Sequence, residues 1–360
     1  MGIKKFQSVL GGLLGIGVAI AAPSCSNQTP SSTTSTSPES QSGQAVVNVY
    51  TARHYDTDEE LYQDFTKKTG IKINLLEGKD NELLERIKNE GTNRQADVLI
   101  TVDAGRLWRA EEAKLLQPIQ SDILKAKVPE NLRHPDGLWF GLTRRARILV
   151  YNKAKIKPAQ LSTYEALAEP TWKGRVCVRS SNNIYNQSLL GSFIESEGPE
   201  ATKAWAKGLV ANLARPPKGG DTDQIKAVAA GQCDVAIVNH YYLARMAQSK
   251  NAEDQAVAAK VGAFFPNQQD RGTHVNISGA GVVANAPHQK NAIAFLEYLT
   301  SAEAQTVFAE GNDEYPVVKD VAIPAVLKEY GEFKADTINV SAYGRNNPEA
   351  IKIADQVGWQ

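Results

Sequence analysis

The sequence predicts an α/β protein built as two lobes around a central cleft. Three observations point there. Short β-branched runs alternate with amphipathic helical stretches, the pattern of parallel sheets covered by helices. The alternation occurs in two blocks joined by long extended runs, and ligands of such folds bind at the carboxyl ends of strands. The 360 residues also exceed the ~250–300 at which a single core stops growing. Forty basic and forty acidic side chains give zero net charge. That excludes a polycation built to coat nucleic acid, so no nucleic-acid partner is expected.

The first twenty-five residues read as a leader. Lys4 and Lys5 precede an apolar run from Val9 to Ala22, shorter than the ~20 residues of a spanning helix. Ala22, Pro23 and Ser24 before Cys25 resemble a bacterial lipobox, in which the cysteine is lipidated and becomes the new N-terminus. The alternative is plain cleavage with a bystander cysteine. Residues 26–45, mostly Ser, Thr, Pro, Gln and Asn, bury too little to order themselves and read as a tether.

The body follows in order. Residues 46–50 form a strand, and Thr57 with Glu60 gives a capping-box spacing that opens a helix over 58–69, stopped by Gly70. Ile71, Ile73 and Leu75 alternate as a strand. Residues 82–90 place Leu83, Leu84 and Ile87 on one helical face; 97–102 is a buried-type strand and 107–115 a helix. These belong to an N-lobe, 46–141. The C-lobe, 142–275, has strands at 147–151, 175–179 and 234–238, with helices at 188–196, 200–213 and 222–230. Residues 276–360 supply a return strand, part of the run 275–283, and helices at 291–300 and 302–310.

No nucleophile elbow, P-loop or zinc motif is present, so no enzyme is expected. Gly279 and Gly281 sit inside a strand and read as backbone bending where the chain crosses between lobes. Cys177 and Cys233 read as buried thiols, with a disulfide left open. His134, His240, His274 and His288 read as surface or loop residues.

The tyrosines fall differently. Of twelve, Tyr50, Tyr62, Tyr151, Tyr164, Tyr298 and Tyr315 read as packing. Tyr55, Tyr185, Tyr241 and Tyr242 lie at the carboxyl ends of predicted strands, on the rim facing the cleft. Phenols titrate near ~10 and ionise poorly at neutral pH, but a hard trivalent cation displaces the proton. Such a set favours Fe³⁺ over ferrous iron or zinc. Four phenolates on Fe³⁺ leave one surplus negative charge, which calls for a nearby arginine. Arg145, Arg147 and Arg245 are the candidates.

At these residues the chain resembles a family. The stretches around His54-Tyr55, Ala96–Asp103, Ser181–Gln187, Asn239–Tyr242, Arg271–Gly279, Asn312–Pro316 and Val357–Gln360 are similar to cyanobacterial ferric-iron-binding proteins of the FutA (IdiA) type, from Val46 to the end. These are solute-binding components of ABC iron importers. The resemblance implies a type II periplasmic binding protein with two crossover strands, and iron ligands at His54, Tyr55, Tyr185, Tyr241 and Tyr242. It implies a permease and ATPase complex in the inner membrane as partner. Some members carry a twin-arginine leader, where this chain has Lys4-Lys5 and Cys25. The expected location is the periplasm, with a lipid anchor on the inner membrane; a monomer is expected. Tyr185, Tyr241 and Tyr242 would meet iron first, and closure would deliver Tyr55 and His54. Two alternatives keep the fold: binding of another small solute, or a protective role near photosystems, also associated with the family.

Overall fold

The computed structural model describes residues 45–53 and 55–360. The predicted leader, Cys25, nearly all of the tether and His54 lie outside the described residues. Among the described residues nine strands form one sheet: β1 (Val46–Thr51), β2 (Lys72–Glu77), β3 (Val98–Val102), β4 (Phe140–Asn152), β5 (Val176–Cys177), β6 (Val235–Asn239), β7 (Val261–Phe264), β8 (Val275–Val282) and β9 (Tyr315–Pro316). Their order is β2-β1-β3-β8-β4-β6-β5, with β7 and β9 also on β4. β1 runs parallel to both β2 and β3, and β5 runs parallel to β6.

β4 joins the two halves. Its first seven residues pair with β8 and β9, and the rest pair with β6 and β7. β8 brings the chain back and lies between β3 and β4. The halves are therefore two lobes that share a strand. β3 and β6 are buried along their whole length, as the apolar runs require. β2 is the edge and leaves Leu75 exposed. In the second half Phe193 stacks on Trp205 at 4.0 Å, and Trp359 meets Trp205 edge-on.

Several boundaries differ from the sequence expectation. The first helix is Asp56–Thr69, two residues earlier than the capping-box reading, and Thr57 makes no cap. Its hydroxyl instead donates to Asn312 Oδ1 at 2.9 Å, a partner 255 residues away. The helix after β3 is Ala104–Glu112, begun early because the Asp103 carboxylate accepts from the Gly105 N–H. β5 shrinks to two residues, and the helix behind it, Ile184–Glu197, already contains Tyr185. β4 is thirteen residues long, with only its second half legible beforehand.

Gly279 and Gly281 do not mark the crossing. Both lie inside β8 opposite Thr101 and Leu99. A Cβ at Gly279 would stand 2.6 Å from Leu107 Cδ1, and one at Gly281 2.5 Å from the Leu138 carbonyl, so close packing is their reason. The loop reading holds for His134, His274 and His288 and fails for His240, which opens the helix His240–Gln248; the surface reading fails for His240 and His274, fully buried, and for His134, nearly so against Glu111. His288 holds Asp97 at 2.9 Å. Of the two readings left open for Cys177 and Cys233, the disulfide holds, with Cα atoms 5.9 Å apart.

Candidate metal centre

Three tyrosines meet because two strands end side by side. β6 ends at Asn239, and the helix His240–Gln248 starts at once, so Tyr241 and Tyr242 lie in its first turn. Beyond β5, Asn183 caps the helix Ile184–Glu197 by accepting from the Tyr185 N–H at 3.0 Å. The two first turns face each other. Tyr241 Oη donates to Tyr185 Oη at 3.4 Å, and the Tyr241 and Tyr242 rings lie 4.4 Å apart. The Cys177–Cys233 disulfide ties the end of β5 to the segment leading into β6, at the end of β6 opposite to Tyr241.

Tyr55 comes from the other lobe, between β1 and the helix Asp56–Thr69. The Arg53 and Arg245 guanidinium carbons lie 4.6 and 4.7 Å from its ring centroid. Arg245 also sits 4.9 Å from the Tyr241 ring, linking the fourth phenol to the other three.

Burial raises the Tyr185 phenol well above its ordinary range, with Tyr242 adding to the shift and Arg145 opposing it. Tyr241 is likewise raised well above it, by burial and then by Tyr185, against Arg145. Both are neutral phenols at physiological pH until something stronger than a proton takes the oxygen. Among the described residues no cluster of three His, Cys, Asp or Glu side chains could hold a metal. The phenols are the hard donors gathered here.

The arginines separate by their partners. Arg147 donates to Asp221 at 3.0 Å, Asn239 at 2.9 Å and Asn186 at 2.7 Å. Arg145 lies under the Tyr241 ring at 5.3 Å and donates to Glu314 at 2.8 Å, while its Nη1 is buried without a hydrogen-bond partner. Arg245 meets no carboxylate among the described residues; its Nη2 donates to the Asn312 carbonyl at 3.3 Å. Among the described residues it stands beside the phenols without a direct ion pair, with Glu314 and Asp313 acting on it from farther off.

Sequence reasoning missed three charged residues here. Arg53 donates twice to Asp58, at 2.8 and 3.3 Å, and also to Glu314 and Ser278. Arg53 stands directly before His54 and Tyr55, and this fork anchors their loop. Its position beside the candidate ligands was the available signal. The contacts to Asp58 and Glu314 were not readable from the chain. His240, neighbour of Tyr241, is held neutral: burial drives its pKa down to about 4, against a hydrogen bond with Ala146.

This is the fold of a solute-binding protein. Residues 60–335 match the family described as bacterial extracellular solute-binding protein, and the chain belongs to that family. Iron uptake protein A1 of Synechocystis sp. is 54% identical over 317 residues, 88% of each chain. The Fe(3+)-binding periplasmic protein of Serratia marcescens is 32% identical over 88% of this chain and 90% of its own. Among solved structures, Trichodesmium IdiA (FutA) in complex with iron and citrate superposes with a TM-score of 0.87 at 61% identity. That match covers 88% of this chain and all of the other.

Proposed function

We propose that this protein is a periplasmic ferric-iron-binding protein that takes Fe³⁺ on tyrosine phenolates and hands it to the permease of an ABC transporter. The observation that carries this is the junction of Tyr185 and Tyr241 at 3.4 Å, with the Tyr242 ring 4.4 Å from that of Tyr241 and Arg245 bridging to Tyr55. The printed identities of the Synechocystis, Serratia and Trichodesmium relatives support the same cargo.

In this reading Tyr185, Tyr241 and Tyr242 form a preassembled half-site on the lobe spanning 142–275. Iron lands there first, and each phenol that binds gives up its proton. The lobe spanning 46–141 then closes, and Tyr55 and His54 complete the shell. Four phenolates and Fe³⁺ carry one net negative charge, which Arg245 balances. Arg145 and Arg147 are already paired with Glu314 and Asp221 and act as scaffolding. No step asks for a nucleophile or a general base, so the protein binds and releases without chemistry on its cargo. Residues 1–25 serve as the leader, Cys25 carries the lipid anchor, and 26–45 tether a monomer to the inner membrane.

The deciding experiment adds ferric citrate to the iron-free protein. A phenolate-to-iron charge-transfer band should appear in the visible. A colourless protein with unchanged tyrosine fluorescence rejects the proposal. Mass spectrometry of the mature N-terminus tests Cys25: an unmodified terminus elsewhere removes the anchor.

A further inference from the structure

Asp103 lies outside the proposed iron shell, yet two unfavourable features meet at it. Its φ is 83°, in the left-handed region that a residue with a side chain rarely adopts. Its carboxylate is buried and forms no ion pair among the described residues. Arg106 acts on it only from a distance, being paired with Asp80 at 2.8 Å. Backbone strain of this kind persists only where the surroundings over-determine it, and it gathers at clamps and switching elements.

The surroundings here belong to three pieces of the fold. Asp103 joins β3 to the helix Ala104–Glu112, on the lobe that carries Tyr55. Its N–H donates to the Ile277 carbonyl at 2.8 Å, and the Ala104 N–H donates to Asn276 Oδ1 at 2.9 Å. Two consecutive amides are thus fastened to β8, the strand on which the chain returns. The Asp103 Oδ1 accepts from the Gly105 N–H at 2.9 Å and, across the lobe boundary, from the Ser188 hydroxyl at 2.5 Å. Ser188 is fully buried and lies three residues after Tyr185 on the helix Ile184–Glu197, a neighbour on that helix surface. Burial raises the Asp103 pKa, and the Ser188 hydrogen bond is first among the influences that hold it down. The two helices meet tightly beside this bond: a Cβ at Gly105 would stand 3.0 Å from Ile184 Cδ1.

We propose that Asp103 is a positioning residue for lobe closure, its carboxylate clasping Ser188 and so fixing where the Tyr185 helix stands against the lobe that carries Tyr55. The purpose of the clasp rests on the iron reading above. The positive φ lets one carboxylate serve Gly105 and Ser188 while both amides stay on β8. Without the clasp the three phenols of one lobe remain assembled, but Tyr55 is brought to them less firmly. The balance between open and closed forms then moves toward open.

Three variants separate the parts. Ser188→Ala removes the donor, Asp103→Gly removes the acceptor and relieves the backbone, and Asp103→Ala removes the acceptor and keeps the strain. Small-angle X-ray scattering of the iron-free protein reads the lobe arrangement, and decay of the charge-transfer band into a competing chelator reads release. Ser188→Ala and Asp103→Gly should each enlarge the radius of gyration. Each should also release iron about tenfold faster, the expected effect of one lost hydrogen bond to a charged group. The band maximum should stay in place, because no phenol is touched. Asp103→Ala should match Asp103→Gly in release but melt at a lower temperature. Radius of gyration and release rate equal to wild type in both Ser188→Ala and Asp103→Gly overturn the proposal, even where melting is lowered. A wild type that takes up no iron rejects the iron reading, while scattering of the iron-free variants still decides the clasp.

Discussion

Arg53 and Glu314 are 261 residues apart in the chain and 3.0 Å apart in the fold. Glu314 also accepts from Arg145 at 2.8 Å, so one buried carboxylate holds the Tyr55 loop against the strand shared by both lobes. Burial alone would raise its pKa, but Arg145 and then Arg53 outweigh it, and the value falls from 4.5 to about 2.

Glu314→Gln should therefore destabilise the protein by about 3–5 kcal/mol at pH 7, because two buried guanidinium groups lose their shared anion. The folded-state pKa is depressed, so this stability is present above pH 4.5 and is lost as pH falls toward about 2. In urea titrations the gap between wild type and variant should close across that window. A gap independent of pH would place its origin elsewhere.

Tyr185 and Tyr241 are neutral before iron arrives, so metal binding must release protons and tighten as pH rises. Tyr185→Phe and Tyr241→Phe should each release fewer protons per iron in a pH-stat. Each should also lower iron affinity more than ~100-fold, beyond what a supporting residue typically costs. Proton release unchanged in both variants would take these phenols out of the coordination shell.

Arg245→Gln removes a charge within 5 Å of two phenol rings. Iron affinity, measured by chelator competition, should drop about 10- to 100-fold while the fold stays intact. Arg147→Gln is the contrast: it leaves the fully buried Asp221 with Arg179 as its remaining cation, and the loss should appear first in thermal unfolding.

The Cys177–Cys233 bridge closes a chain separation of 56 residues, a loop for which chain entropy gives about 4 kcal/mol. Replacing both cysteines with alanine should lower the unfolding free energy by about that much. Because β5 and β6 lead into the helices that carry Tyr185 and Tyr241, the variant should also show a broadened charge-transfer band. A sharp, unshifted band would mean the bridge serves stability alone.

What could be read from the chain was local. β3 and β6 announce themselves as apolar runs, and four phenols at strand ends carry their own chemistry. The first half of β4 stayed hidden because Arg144 and Arg145 interrupt it, and the anion that makes Arg145 tolerable lies 169 residues away. Thr57 looked like a cap because its true partner, Asn312, is remote in sequence. His240 and His274 carry no local mark of burial; surrounding packing puts them inside. Tyr185 was placed past a strand and proved to open a helix, since the Asn183 cap is a three-residue signal easily taken for a loop.

β4 threads both halves of the sheet without interruption, and β8 runs back against it. The two jaws thus hang on one spine. In the proposed cycle they would swing about it without drifting apart or slipping sideways, so an emptied protein would reopen with Tyr55 still aimed at its three counterparts. Each round of loading then begins from the same alignment, with no search for register.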